Sequence, residues 1–345
     1  MNKKNIVLNI KKHLLACIII LILILLVLSF IYFLWFNNKL NRITKELKKD
    51  TTVTSNISSK SIKYGNLYKV PTNYEATKQY LFYSDASIEN SKKAKIDEQG
   101  IALKANEKDY VYNPTIIAQY GLEQYGNYIA TSNEEYYKKA KLQADYLVKV
   151  QDKSNGKFYY DYDFKVAGTN QTMKSPWASA MAQGQAISLL ARIYYVSHDK
   201  QYLESAQLAM SSLTKKVEDG GLYSDFFGYK YYEEYPTTPA SYTLNGFMFT
   251  LLGLHDLYSI SKDKQAKELY SEGIKTLEYC LPFYDSIGIS LYHLGHLTDK
   301  ELPLHYDEGY HRIHIVQLKV INQFEKNKVF EYYSSKWEKY VKESK

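Results

Sequence analysis

A chain of 345 residues, 45% apolar and 23% charged, is long enough to bury one large core or two ordinary ones. The net charge of +7 sits in residues 1–50, which hold nine basic and two acidic side chains; of the chain's 44 basic and 37 acidic residues, 35 of each remain beyond position 50. That balance excludes a nucleic-acid reading from bulk charge, and only two cysteines, Cys17 and Cys280, exclude a disulfide framework within the folded body.

In chain order, residues 1–13 form a short N-terminal segment and residues 14–36, LLACIIILILILLVLSFIYFLWF, carry no charge. A helix over that run reaches across a ~30 Å hydrocarbon core, and it predicts a transmembrane helix. The run is too long for a cleaved signal peptide, and no small-x-small site follows Phe36. Cys17 begins the apolar stretch instead of ending it, which excludes a lipoprotein box. Lys3, Lys4, Lys11 and Lys12 precede the span, while Lys39, Arg42, Lys45, Lys48 and Lys49 follow it. That near-equality barely decides orientation.

Residues 37–75 are rich in Ser, Thr, Lys and Asn and read as a polar stalk. Gly100 separates two β-prone runs within 76–112, which predicts a small hairpin region. From Asn113 a repeat emerges. Asn133, Asp199, Asp263 and Asn327 each follow one apolar-periodic run and precede another, and each can cap a helix through its side-chain oxygen. The pattern predicts four helical hairpins, with helices near 114–127, 133–151, 176–196, 199–215, 241–260, 263–281, 311–323 and 327–342. Ser175-Pro176 reads as an N-cap followed by proline at the first helical position. The expected class is all-α, an α/α toroid or partial barrel over 76–345. The connections 152–174, 216–240 and 282–310 should gather on one rim, where a site would lie.

The second of these connections contains YEEYPTTP, residues 232–239. Pro236 holds Tyr235 extended and stiffens the loop beside Glu233 and Glu234, a stiffness that packing alone could equally require. His293 and His296, like His311 and His314, stand three apart. Such spacing can hold a metal, but it is common by chance, and 311–314 reads equally as a core-facing helical turn. No metal or cofactor is expected. No GxSxG or Walker pattern occurs, so acyl transfer and nucleotide chemistry have no support. Trp177 suits either stacking on a sugar or the core.

Together SPWASAMAQGQAISLLARIY (175–194), YEEYPTTPASYTLNGFMFTLLGLHDL (232–257) and LPFYDSIGISLYHLGHL (281–297) resemble the catalytic domain of the D-glucuronyl C5-epimerases. YNPTIIAQYGL (112–122) and YHRIHIVQLKVI (310–321) are also similar, and the likeness spans about 108–342. The resemblance implies an α/α toroid with Glu234, Tyr235, Tyr292 and Tyr310 as catalytic residues. It implies substrate contacts from Trp177, Gln183, Asn245 and His311. The family's YDLRH is YHLGH here, so Gly295 stands where an arginine would meet the uronate carboxylate. Arg192 and Arg312 are the candidates to replace it. The family's larger N-terminal β-domains are mostly missing from this sequence, and the expected anchor and stalk stand there instead.

The implied reaction removes the proton from C5 of a glucuronate and returns one to the opposite face. It needs two proton-transfer groups and a neutralised carboxylate. Glu234 and Tyr310 are expected to flank C5, with phenol pKa values drawn down by a nearby cation. The alternatives are a uronate lyase, an α/α hydrolase using Glu233, Glu234 or Asp307, and a non-catalytic glycan-binding protein. The apolar run predicts a single-pass membrane protein, and the resemblance implies that its C-terminal domain lies outside the cytoplasm. Its expected partners are an acidic polysaccharide, the membrane and a second copy of the chain, with no nucleic acid.

Overall fold

Capping side chains start the helices. In the computed structural model Asn113, Asn133, Asp199, Asp263 and Asp307 each accept a hydrogen bond from a backbone N–H of the first helical turn. Asn327 does the same for Val329. They open α1 (Pro114–Thr131), α2 (Glu134–Val150), α4 (Lys200–Met210), α6 (Lys264–Tyr284), α8 (Glu308–Glu325) and α9 (Lys328–Glu343). Ser179 and Thr243 precede the two remaining long helices, α3 (Ala180–Ser197) and α5 (Leu244–Ser261). A single turn, α7, covers Gly295–Thr298.

The structure describes residues 62, 64–81, 87–91, 94–107 and 109–343, together with positions 18, 20–22 and 25. The chain divides into two units, Met1–Ser58 and Ser59–Lys345. In the first unit the described positions are helical with exposed side chains. The expected membrane span, 14–36, otherwise lies outside the described residues. Among the described residues no helix is long and apolar enough to cross a membrane.

The second unit is mostly helical, and its hairpins share one joint. Ser132, His198, Lys262 and Lys326 end α1, α3, α5 and α8 in the left-handed conformation, with φ between 49° and 59°. The capping residue of the partner helix follows at once. Three joints carry a further bond: the hydroxyls of Thr131, Ser197 and Ser261 accept from the backbone N–H of Asn133, Asp199 and Asp263. The fourth uses Asn322 for the same donor at Asn327. Antiparallel pairs α1/α2, α3/α4, α5/α6 and α8/α9 result.

α1, α3, α5 and α8 pack side by side as an arc, and the other member of each pair lies outside it. α3 and α5 are apolar nearly all round and are buried over most of their length. They meet closely at two glycines. A Cβ on Gly253 would fall 2.1 Å from the carbonyl oxygen of Gly184, and one on Gly184 2.5 Å from the Cα of Thr250.

β1 (Ala94–Ile96), β2 (Ala102–Asn106) and β3 (Asp109–Tyr112) form an antiparallel sheet with β2 in the centre. Gln143 of α2 fixes it, donating to Gly100 O and accepting from Ala102 N. The linkers carry short antiparallel ladders. β4 (Tyr159–Tyr160) pairs with β7 (Trp177–Ala178), and β5 (Phe164–Lys165) with β6 (Thr172–Met173). β8 (Tyr223–Phe226) pairs with β9 (Tyr229–Tyr232), and β10 (Leu291–His293) with β11 (His305–Tyr306).

Two expectations change. The helix expected from Pro176 begins at Ala180, because Trp177 and Ala178 pair with Tyr160 and Tyr159 in β7. Residues 64–75, expected as stalk, lie on the helices. Tyr64 donates to Gly288 O, Gln323 donates to Pro71 O, and Tyr74 is buried against α3 and α5.

Candidate active site

The segment after β9 is held at both ends of Glu233. Its N–H donates to Leu222 O, and its carbonyl accepts from Ala180 N at the start of α3. Pro236 follows, so the two glutamates leave a fixed backbone in opposite directions. Glu233 turns into the interior, where the backbone N–H of Tyr242 donates to it. Burial pushes its carboxyl up to about 8. Glu234 turns towards a cavity of about 180 Å³. Burial raises its carboxyl to about 7, opposed by Tyr235, Asn245, the N–H of Gly246 and the charge of Lys104. The first turn of α5 accommodates it only because position 246 has no side chain: a Cβ there would lie 2.3 Å from Oε2 of Glu234.

Three phenols come together beside this carboxylate. Tyr310 stands on the first turn of α8 and lines the cavity with Glu234 and Tyr235. Tyr292, on β10, adjoins both: its hydroxyl lies 3.2 Å from that of Tyr235 and its ring centre 4.5 Å from that of Tyr310. Burial, reinforced by the nearby Glu234 charge, pushes all three phenols above their ordinary value. The expectation of cation-lowered phenols is therefore reversed. They stay protonated and are suited to donating protons, while Glu234 is the group that ionises near neutrality.

Aromatic rings build one wall. Trp177 stacks on Tyr160 with centres 3.9 Å apart and planes 6° from parallel, and its Nε1 donates to Tyr162 O. Phe164 stacks on Tyr235. The starts of α1, α3, α5 and α8 all reach this place, through Asn113 and Thr115, Ser179, Glu234 lying against Gly246, and Tyr310.

Residues 151–339, more than half of the chain, match the family described as D-glucuronyl C5-epimerase C-terminus. The chain belongs to this family. It is 36% identical over 206 residues to the D-glucuronyl C5-epimerase of Caenorhabditis elegans, which covers 56% of this chain and 33% of the worm protein. It is 28% identical over 200 residues to an uncharacterised protein of Methanocaldococcus jannaschii, over 54% of this chain and 62% of that one. The chain thus spans about a third of the length of the first relative. Among solved structures, a family 76 glycoside hydrolase from a bovine Bacteroides thetaiotaomicron strain aligns with a TM-score of 0.46 and 16% identity, over 65% of this chain and 46% of that one.

Of the epimerase-family positions singled out in the sequence, Glu234, Tyr235, Tyr310 and Trp177 line the cavity, and Tyr292 packs against Tyr235 and Tyr310 beside it. Asn245 sits behind Glu234 and acts on its carboxyl. The other four lie elsewhere. Gln183 is buried and ties together Phe158 N, Gly156 O and Ala209 O. Arg192 is fully buried in an ion pair with Asp256 at 2.6 Å and also bonds Tyr74 and the carbonyl of Lys78. His311 accepts from Ser290 N through Nδ1, so its Nε2 donates to Trp337 O. Arg312 donates to Asn66 O and lies over the Tyr68 ring. Neither arginine takes the place of the one missing at Gly295, where a Cβ would touch His293 and Leu302 at 3.2 Å. Sequence reasoning missed Lys104, Tyr160, Tyr162 and Phe164, all on the cavity wall. The positions of Tyr160, Tyr162 and Phe164 depend on where two short strand pairs fold back, and that of Lys104 on how the β1–β3 sheet meets α1; periodicity carries no signal for either.

Proposed function

We propose that this chain is a uronyl C5-epimerase acting on an acidic polysaccharide, with its helical pairs arranged as an incomplete α/α toroid. The reading rests on one carboxylate that ionises near neutrality, Glu234, and one phenol that stays protonated, Tyr310, lining a single cavity. The ionised Glu234 takes the proton from C5. The C–H bond breaks, and its electron pair spreads into the adjoining carboxylate as an enediolate. Tyr310 then gives its hydroxyl proton to C5 from the opposite face, and a C–H bond of inverted configuration forms. Glu234 ends protonated and Tyr310 ionised. Tyr235 adjoins Glu234, and Tyr292 adjoins Tyr235 and Tyr310, so the two phenols offer a path for the returning proton, with water as the other.

A lyase would expel the C4 substituent after the first step, and a hydrolase would break the glycosidic bond without touching C5. Incubation with a glucuronate polymer in heavy water separates them. The epimerase incorporates deuterium at C5 with the chain intact, whereas unsaturated ends or new reducing ends refute this reading. We further propose that residues 14–36 anchor the protein with the catalytic unit outside the cytoplasm. Protease added to intact cells should then degrade the catalytic unit, and its full protection would overturn that topology.

A further inference from the structure

A cavity holding Glu234 must also accept a second negative charge if its ligand is a uronate. Among the described residues on its wall, Lys104 is the only basic one. It sits at the middle of β2, the central strand, in register with Ala94 on one side and Val111 on the other. β3 runs directly into Asn113, the cap of α1 and itself part of the cavity wall. Gln143 clamps the start of β2 from α2. Lys104 therefore projects from a backbone fixed on three sides, not from a loop.

Its ammonium lies 5.1 Å from the centre of the Phe164 ring and 5.9 Å from that of Tyr162. Those rings steer it towards the wall shared with Tyr235. The site is partly desolvated, and among the described residues no carboxylate forms an ion pair with Lys104 and no acceptor hydrogen-bonds its ammonium. A cation held this way is costly unless something anionic joins it. Burial lowers its pKa, and the charge of Glu234 opposes that shift.

We propose that Lys104 binds the carboxylate of the sugar whose C5 faces Glu234, and so selects uronates over neutral hexoses. This rests on the epimerase reading. The same contact neutralises the enediolate as the C5–H bond breaks, so Lys104 serves binding and chemistry together.

The test uses the full chain with a glucuronate–N-acetylglucosamine oligosaccharide and the same oligosaccharide carboxyl-reduced to alcohols. Wild type should bind the acid form about 10- to 100-fold more tightly, the range of a charge-assisted contact. Lys104→Met should erase that preference while leaving affinity for the reduced form and thermal stability unchanged. Lys104→Arg should keep most of it. A wild type indifferent to the carboxyl, or a Lys104→Met variant that retains the preference, overturns the proposal. Lys104-dependent preference without deuterium uptake at C5 sustains the carboxylate site and overturns the epimerase activity alone.

Discussion

Glu234 owes its usefulness to being an acid that is difficult to ionise. Burial raises it from 4.5 to about 7, and in the proposed reaction only its ionised form can accept the C5 proton. The exchange rate should therefore rise with pH through a midpoint near 7 and be lost in Glu234→Gln. The groups acting on the carboxyl are Tyr235, Asn245, Gly246 N–H and Lys104, all of which hold it down. Lys104→Met should move the midpoint upward, and an unmoved or lowered midpoint counts against this arrangement. Glu233 makes a stability prediction of the same origin. Its folded value of about 8 exceeds the ordinary 4.5, so its contribution is fully present below pH 4.5 and is lost as pH rises through 8. Glu233→Gln should be near neutral at pH 4 and should stabilise by about 1–3 kcal/mol at pH 8.5 in urea unfolding. An equal effect at both pH values would contradict it.

Among the elements, the four hairpin joints show what a sequence can and cannot disclose. The caps were legible, since Asn and Asp before an apolar-periodic run have a local reason to be there. The left-handed residues before them were not, because Ser, His and Lys occupy positions where glycine is the usual signal. Asp199→Ala should cost about 1 kcal/mol in unfolding free energy, the usual worth of an N-cap. The α3–α5 contact is less forgiving: Gly253→Ala drives a methyl against the Gly184 carbonyl and should lower stability by about 1–3 kcal/mol. The Ser175-Pro176 start failed for a related reason. Proline at a first helical position and proline before a strand look alike locally, and only the pairing of Trp177 with Tyr160 distinguishes them.

For the molecule as a whole, period and capping disclosed the helical pairs, and the residues Glu234, Tyr235, Tyr292 and Tyr310 could be named from the motifs that hold them. Their convergence was expected from the resemblance and from linkers gathering on one rim; the local pattern of each segment alone does not carry it, because it depends on three linkers returning to the starts of α1, α3, α5 and α8. Three of the buried polar residues lie away from the cavity for one shared reason. Arg192, Gln183 and His311 carry chemistry that a substrate could use, and here interior partners use it instead. Removing Arg192 should leave the buried Asp256 carboxylate without its guanidinium partner and cost about 3–5 kcal/mol, well beyond what loss of a substrate contact would do to folding.

The most direct measurement is mass and proton spectroscopy of a glucuronate polymer after incubation in heavy water with wild type and with Tyr310→Phe. The Glu234–Tyr310 pair predicts deuterium at C5 with inverted configuration in an uncut wild-type product, and no inverted product from the phenylalanine variant, where any deuterium returned by Glu234 keeps the original configuration. Inversion at C5 by Tyr310→Phe at the wild-type rate would contradict it.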